Sequence, residues 1–196
     1  YHYHFLLLTL SDVMMHHAGL VTRKQRESEY ENYVRHFEGT WHRHPQLPLD
    51  ADGTLDQVPK RTLVSLIENT IAEVKPAILL CQGPSFHHDH MLVYEAAIAA
   101  TRPTARFFPR EMYIMENPTY VHSSGPQTDF KPDTYVSLTE AEMTRKLDCF
   151  RQCFPSQIRH HENYLSEEGI RSWSRYRGIE ARCQYAEALR TFIRVI

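Results

Sequence analysis

The sequence carries almost no net charge, −2 at pH 7 from 22 basic and 24 acidic residues. That balance argues against nucleic acid or an anionic membrane surface as a partner. Long apolar runs are also missing. The longest, Phe5 to Leu10, has strand length, far short of the roughly 20 residues that span a bilayer. The first residues have neither the basic region nor the cleavage site of a signal peptide. Cysteine is sparse: Cys81, Cys149, Cys153 and Cys183 follow no CxxC zinc spacing. Cys149 and Cys153 stand four apart on an expected helix and would share a face. Reduced thiols and a cytoplasmic location are the expectation. Repeats, low-complexity tracts and dividing linkers are absent, so residues 1–196 read as a single domain with room for a sizeable core. The one excess is histidine, thirteen in all.

Periodicity alternates between strand and helix along the chain. The continuous apolar run Phe5 to Leu10 suits a strand buried on both faces of a parallel sheet. Thr22 to Phe37 reads as a charged helix, with Thr22 as N-cap, Gly39 as stop and Tyr30, Tyr33, Val34 and Phe37 turned to the sheet. Arg26 and Glu29 lie one turn apart on it, as a solvated ion pair worth a few tenths of a kcal/mol or as a substrate contact. Trp41 to Pro59 reads as loop, with Asp52-Gly53 as a turn and His42 and His44 at the surface. Leu63 to Val74 is a helix stopped by Pro76, and Ala77 to Cys81 a buried strand. A helix with a small-residue face (Val93, Ala96, Ala97, Ala100) follows. Met112 to Met115 and Pro132 to Leu138 are further extended stretches. Thr139 with Glu142 forms a capping box for a helix to Phe154. Glu167 to Tyr185 reads as a helix interrupted at Gly178 and basic on one side through Arg171, Arg175, Arg177 and Arg182.

The densest chemistry is Gly83-Pro-Ser-Phe-His-His-Asp-His90, between the strand ending at Cys81 and the helix beginning near Met91. Open α/β sheets bind ligands just beyond the carboxyl ends of their strands. His87, Asp89 and His90 offer a metal ligand, a proton-transferring imidazole and a carboxylate to hold its tautomer. In the plainer reading Asp89 is no more than an N-cap.

Several landmarks recur in a fixed order. They are Arg26-x-x-Glu29; Lys75-Pro-Ala-Ile-Leu-Leu-Cys leading into His87-His-Asp-His-Met-Leu-Val-Tyr-Glu-Ala96; Ala100-Thr-Arg-Pro103; Tyr113 to Pro118; Phe130-Lys-Pro; Lys146 ahead of Ser156-Gln157; Arg177-Gly178; and Tyr185-Ala-Glu187. In these the chain resembles the PIG-L/LmbE-like family of zinc-dependent N-deacetylases, in its bacterial branch. The resemblance implies a Rossmann-like three-layer α/β/α sandwich with a mostly parallel sheet. It implies removal of an N-acetyl group from a small amino-sugar substrate by zinc-activated water. His90 would be a zinc ligand, His87 the oxyanion-stabilising or acid histidine, Asp89 its orienting partner and Arg26 a substrate contact. His88 stands where the family has proline and receives no role. Glu187 and Gln157 match landmarks whose plainer role is packing.

One departure stands out. The family's first strand ends in His-Pro-Asp-Asp, which supplies two zinc ligands and the general base. This sequence has no such motif; His44-Pro45 is followed by Gln46. The expectation is therefore an LmbE-like domain whose first βα unit is missing, with an incomplete zinc ligand set and weak or no turnover. Recruitment of Asp12, His16 or His17 as substitute ligands is the remote alternative. The competing reading is a non-catalytic relative that binds a sugar or a protein. The unpaired flank of the first strand is an edge suited to homo-oligomer formation.

Overall fold

The structure is a computed structural model that describes residues 1–43, 47, 52–120, 130–160 and 163–196. The chain divides into two compact units, residues 1–52 with 137–187 and residues 53–136 with 188–196. No helix of the described residues is long and apolar enough to cross a membrane. His44, Pro45 and Gln46 lie outside the described residues.

In the first unit, β1 (His4–Leu6) pairs in parallel with β4 (Thr40–His42), Phe5 opposite Trp41. A small antiparallel pair, β2 (Val13–Met15) with β3 (Gly19–Val21), lies between them in sequence. Helix α1 (Arg23–His36) links β3 to β4. It starts where expected, the Thr22 hydroxyl accepting from the Gln25 N–H. Its aromatic face is the expected one too. Tyr33 meets Phe5 edge-on at 5.2 Å, and Tyr30 meets Trp41 at 4.9 Å. Burial accordingly pushes the Tyr30 and Tyr33 hydroxyls upward in pKa.

Two expectations are corrected here. The apolar run contributes only Phe5 and Leu6 to a three-residue strand, although Leu8 and Leu10 beyond it are buried. Thr40–His42, of which the sequence places Trp41 and His42 in a loop, is its pairing partner. Three residues are too few to display a period, and the strand exists because β1 lies alongside it.

Two helices dominate the rest of the first unit. In α4 (Glu140–Cys153) the Thr139/Glu142 capping box forms as expected. Met143 and Leu147 of α4 pack with Ile170 of α5 (Glu167–Ala181) and with Tyr185. Helix α5 runs through Gly178 without a break. A Cβ at Gly178 would meet the carbonyl oxygens of Gln184 and Cys183 at 2.8 and 2.9 Å. The glycine thus admits close backbone approach rather than ending the helix. Tyr185, expected to close that helix, instead opens β8 (Tyr185–Arg194). Ala186 to Leu189 are good helix formers. Pairing with a neighbouring strand overrides that weak preference.

The second unit holds α2 (Lys60–Val74), β5 (Ile78–Gln82), α3 (His88–Ala100), β6 (Glu111–Met115) and the start, to residue 136, of β7 (Thr134–Leu138). Its sheet has the order β5-β6-β8-β7, β8 entering by residues 188–194. The sheet is mixed: β5 and β6 are parallel, and β6 and β8 antiparallel. Leu63, Leu66, Ile67 and Ile71 of α2 and Ala96, Ala97 and Ala100 of α3 are buried where the two helices pack. The sequence predicts a buried β5. It lies at the end of the sheet among the described residues, and Ile78 and Leu80, which share one face of it, are 49% and 52% exposed.

Candidate active site

Gln82 and Met115, the last residues of β5 and β6, are partners across the parallel pair. Two carboxyl ends therefore lie side by side, where an α/β sheet places ligands. Gly83 holds them close. Its N–H donates to the Met115 carbonyl at 2.8 Å, and a Cβ there would meet that oxygen at 2.6 Å.

The turn from β5 into α3 then brings the histidines together. Ser85 is buried. Its hydroxyl accepts from the His87 N–H at 3.2 Å and lies 2.9 Å from His90 Nδ1. The His87 ring stacks on His88 at 5.1 Å and on His90 at 4.7 Å between centroids, and its Nδ1 is buried. From the loop after β6, Asn117 Nδ2 donates to His90 Nδ1 at 2.9 Å. An amide NH2 can only donate, so with the amide so placed Nδ1 is the lone-pair nitrogen of His90.

Asp89 is buried in the first turn of α3. Its two oxygens accept from the backbone N–H groups of Gly53 at 2.5 Å and Leu55 at 3.1 Å. His88 completes a clamp on the same segment. Its Nε2 donates to the Gly53 carbonyl at 2.7 Å and lies 3.2 Å from Asp89 Oδ1. Sequence reasoning gives His88 no role, because it cannot pair a histidine with a peptide group 35 residues away. The Asp52-Gly53 turn signal does mark the right segment, and Gly53 takes the positive φ of 83° that favours glycine.

Arg26 lies in the first unit. Its guanidinium donates to the Ser11 carbonyl and to Asp52 Oδ2, both at 2.7 Å. Glu29 is buried and accepts from the N–H and hydroxyl of Ser156 at 2.9 and 2.6 Å. Other landmarks pair in the same way: Lys146 with Glu187, and Gln157 with the Ser156 hydroxyl at 3.0 Å. Their packing role is thus visible. Asp12 accepts from the Arg23 N–H at the start of α1 at 2.5 Å, and a ring nitrogen of His17 lies 2.9 Å from the Ser156 carbonyl oxygen.

The family resemblance implies zinc at His90. The described residues do not fit it there. Among them, one group of three His, Cys, Asp or Glu side chains gathers its ligand atoms within 4.8 Å of one another, and it is His36, Cys149 and Cys153.

No protein-family model matches the chain, and no curated protein matches it in sequence. Solved structures do share its fold. A conserved protein of Thermus thermophilus matches with a TM-score of 0.65 at 19% identity, over 98% of this chain and 82% of that one. The zinc-inhibited form of a teicoplanin deacetylase matches with a TM-score of 0.62 at 13% identity, over 99% and 87%. N,N'-diacetylchitobiose deacetylase from Pyrococcus horikoshii, complexed with an inhibitor, matches with a TM-score of 0.58 at 15% identity, over 97% and 72%. At such identities the likeness is one of fold. This chain has the mixed α/β fold of the two deacetylases.

Proposed function

We propose that the chain, acting as one domain over residues 1–196, is an amide hydrolase of deacetylase type whose substrate carries an N-acetylated amino sugar. The observation that supports this best is the meeting of His87, His90 and Asn117 at the carboxyl ends of two parallel strands, in a fold shared with two deacetylases. In this reading a neutral His87 takes the proton of the water that adds to the acetyl carbonyl, stabilises the oxyanion as the imidazolium so formed, and returns that proton to the departing amine. Asp89 positions α3, and with it His87. Arg26 contacts the substrate. His90, the zinc ligand that the family resemblance implies, has no fitting ligand set around it among the described residues and carries no metal step in this reading.

A second reading, a non-catalytic sugar binder, is favoured by one observation: no three-ligand group forms around His90 among the described residues. Both are tested by acetate release and calorimetric binding with N-acetylglucosamine and N,N'-diacetylchitobiose, with and without added zinc. The first predicts slow turnover that His87→Ala abolishes while binding persists. Binding without acetate release supports the second. Neither binding nor turnover sinks both.

A further inference from the structure

We infer that the first unit carries a zinc-class metal site made by His36, Cys149 and Cys153, separate from the histidines of α3. His36 sits in the last turn of α1, and the two cysteines in the last two turns of α4. The cysteines are one helical turn apart, so they present both sulfurs on one face. Their Sγ atoms stand 4.0 Å apart, and a ring nitrogen of His36 lies within 4.8 Å of both.

Those spacings are close to what a tetrahedral ion requires. With Zn–S bonds of about 2.3 Å, two thiolates on a tetrahedral centre stand about 3.8 Å apart. The observed sulfur pair differs from that by about 0.2 Å, within the reach of a small χ1 adjustment. The ligand types suit a borderline-soft cation such as Zn²⁺ better than a hard one such as Mg²⁺ or Ca²⁺.

Burial and charge agree with the geometry. Both cysteines are buried and His36 is exposed. The thiols thus form the floor of the site and the imidazole its rim. An open cleft lined by Asn32, Arg35, His36, Gln152 and Cys153 leads in. It gives the ion an entry path and leaves the fourth position to water or to a side-chain amide oxygen. On binding, the two S–H protons leave. A doubly charged cation then faces two thiolates and a neutral imidazole, and no net charge remains buried. Such an ion ties the end of α1 to the end of α4, which are far apart in the chain, and stabilises only the folded arrangement.

The test uses the whole chain, stripped of metal and reduced, and titrated with Co²⁺ as a spectroscopic substitute for Zn²⁺. The expected result is one equivalent bound with thiolate-to-cobalt charge-transfer absorption. It is lost in Cys149→Ser and in Cys153→Ser, retained in Cys81→Ser, Cys183→Ser and His90→Ala, and weakened at least tenfold in His36→Ala. Zn²⁺ should raise the thermal midpoint of the wild type and not of the Cys149→Ser/Cys153→Ser double variant. Because His36 is exposed, its alanine variant keeps the test open if a serine variant fails to fold. Absence of thiolate absorption, or absorption that survives both the His36 and the double cysteine substitutions, would overturn the proposal.

Discussion

Asp89→Asn separates two roles for one buried carboxylate. In the structure each oxygen takes a different backbone donor, Gly53 N–H on Oδ2 and Leu55 N–H on Oδ1. Asparagine has one carbonyl oxygen. Whichever way its amide turns, one of the two N–H groups faces an NH2. Leaving a buried donor unsatisfied costs about 1–3 kcal/mol. Losing a negative charge from the first turn of α3 adds about 0.3–1 kcal/mol. The expected destabilisation is therefore about 1–4 kcal/mol, or roughly 0.5–2 M in urea midpoint at an ordinary slope of about 2 kcal/mol/M. Urea unfolding followed by fluorescence measures the midpoint, and hydrogen exchange at Gly53 and Leu55 shows where the loss falls. His88→Ala, which removes only the exposed half of the clamp, should cost about 0.5–1 kcal/mol. A refuting result is an Asp89→Asn protein that keeps its midpoint and its slow Gly53 and Leu55 exchange while turnover or ligand binding falls. The carboxylate would then act on the chemistry of His87 and not on the 53–55 segment.

Two further outcomes follow from the packing and the caps. Gly178→Ala adds a methyl within 2.8–2.9 Å of the backbone at Cys183 and Gln184. The helix-propensity gain of about 1 kcal/mol is outweighed by overpacking against backbone, and a net loss of about 1–2 kcal/mol is expected in thermal or urea unfolding; an unchanged or higher midpoint would contradict the close approach. Hydrogen bonds from the Thr139 N–H, and then from its hydroxyl, hold the Glu142 carboxyl below its usual pKa. A depressed folded-state pKa means a contribution present above the unfolded value, about 4.3, and lost as pH falls through the folded one. The stability gap between wild type and Glu142→Gln should thus be constant near neutrality and close on acidification below that range. A gap that widens in acid would refute the assignment.

How much of this was legible in the sequence follows from the range of each interaction. Thr22 and the Thr139/Glu142 box were readable because a cap and its partner lie within three residues. The Gly83–His90 stretch was readable as a strand-to-helix turn because apolar runs flank it. Histidines at that turn point to chemistry in any α/β sheet. The residues that hold the cluster in place were not readable. Asn117 reaches His90 from the loop after β6, and the Gly53 and Leu55 amides reach Asp89 across more than thirty residues.

The sequence by itself determined that the five helices exist, the capped starts at Thr22 and Thr139, and the alternation of strand and helix, since side-chain period and capping are set within a turn or two of chain. Tertiary structure alone decided which strands pair, that Tyr185–Arg194 is a strand, that Glu29 closes on Ser156 127 positions later, and that His36 joins Cys149 and Cys153. The physical reason is loop closure. A contact between distant residues forms only when the packing of everything between them outweighs the entropy of bringing the ends together, and no local pattern records that sum.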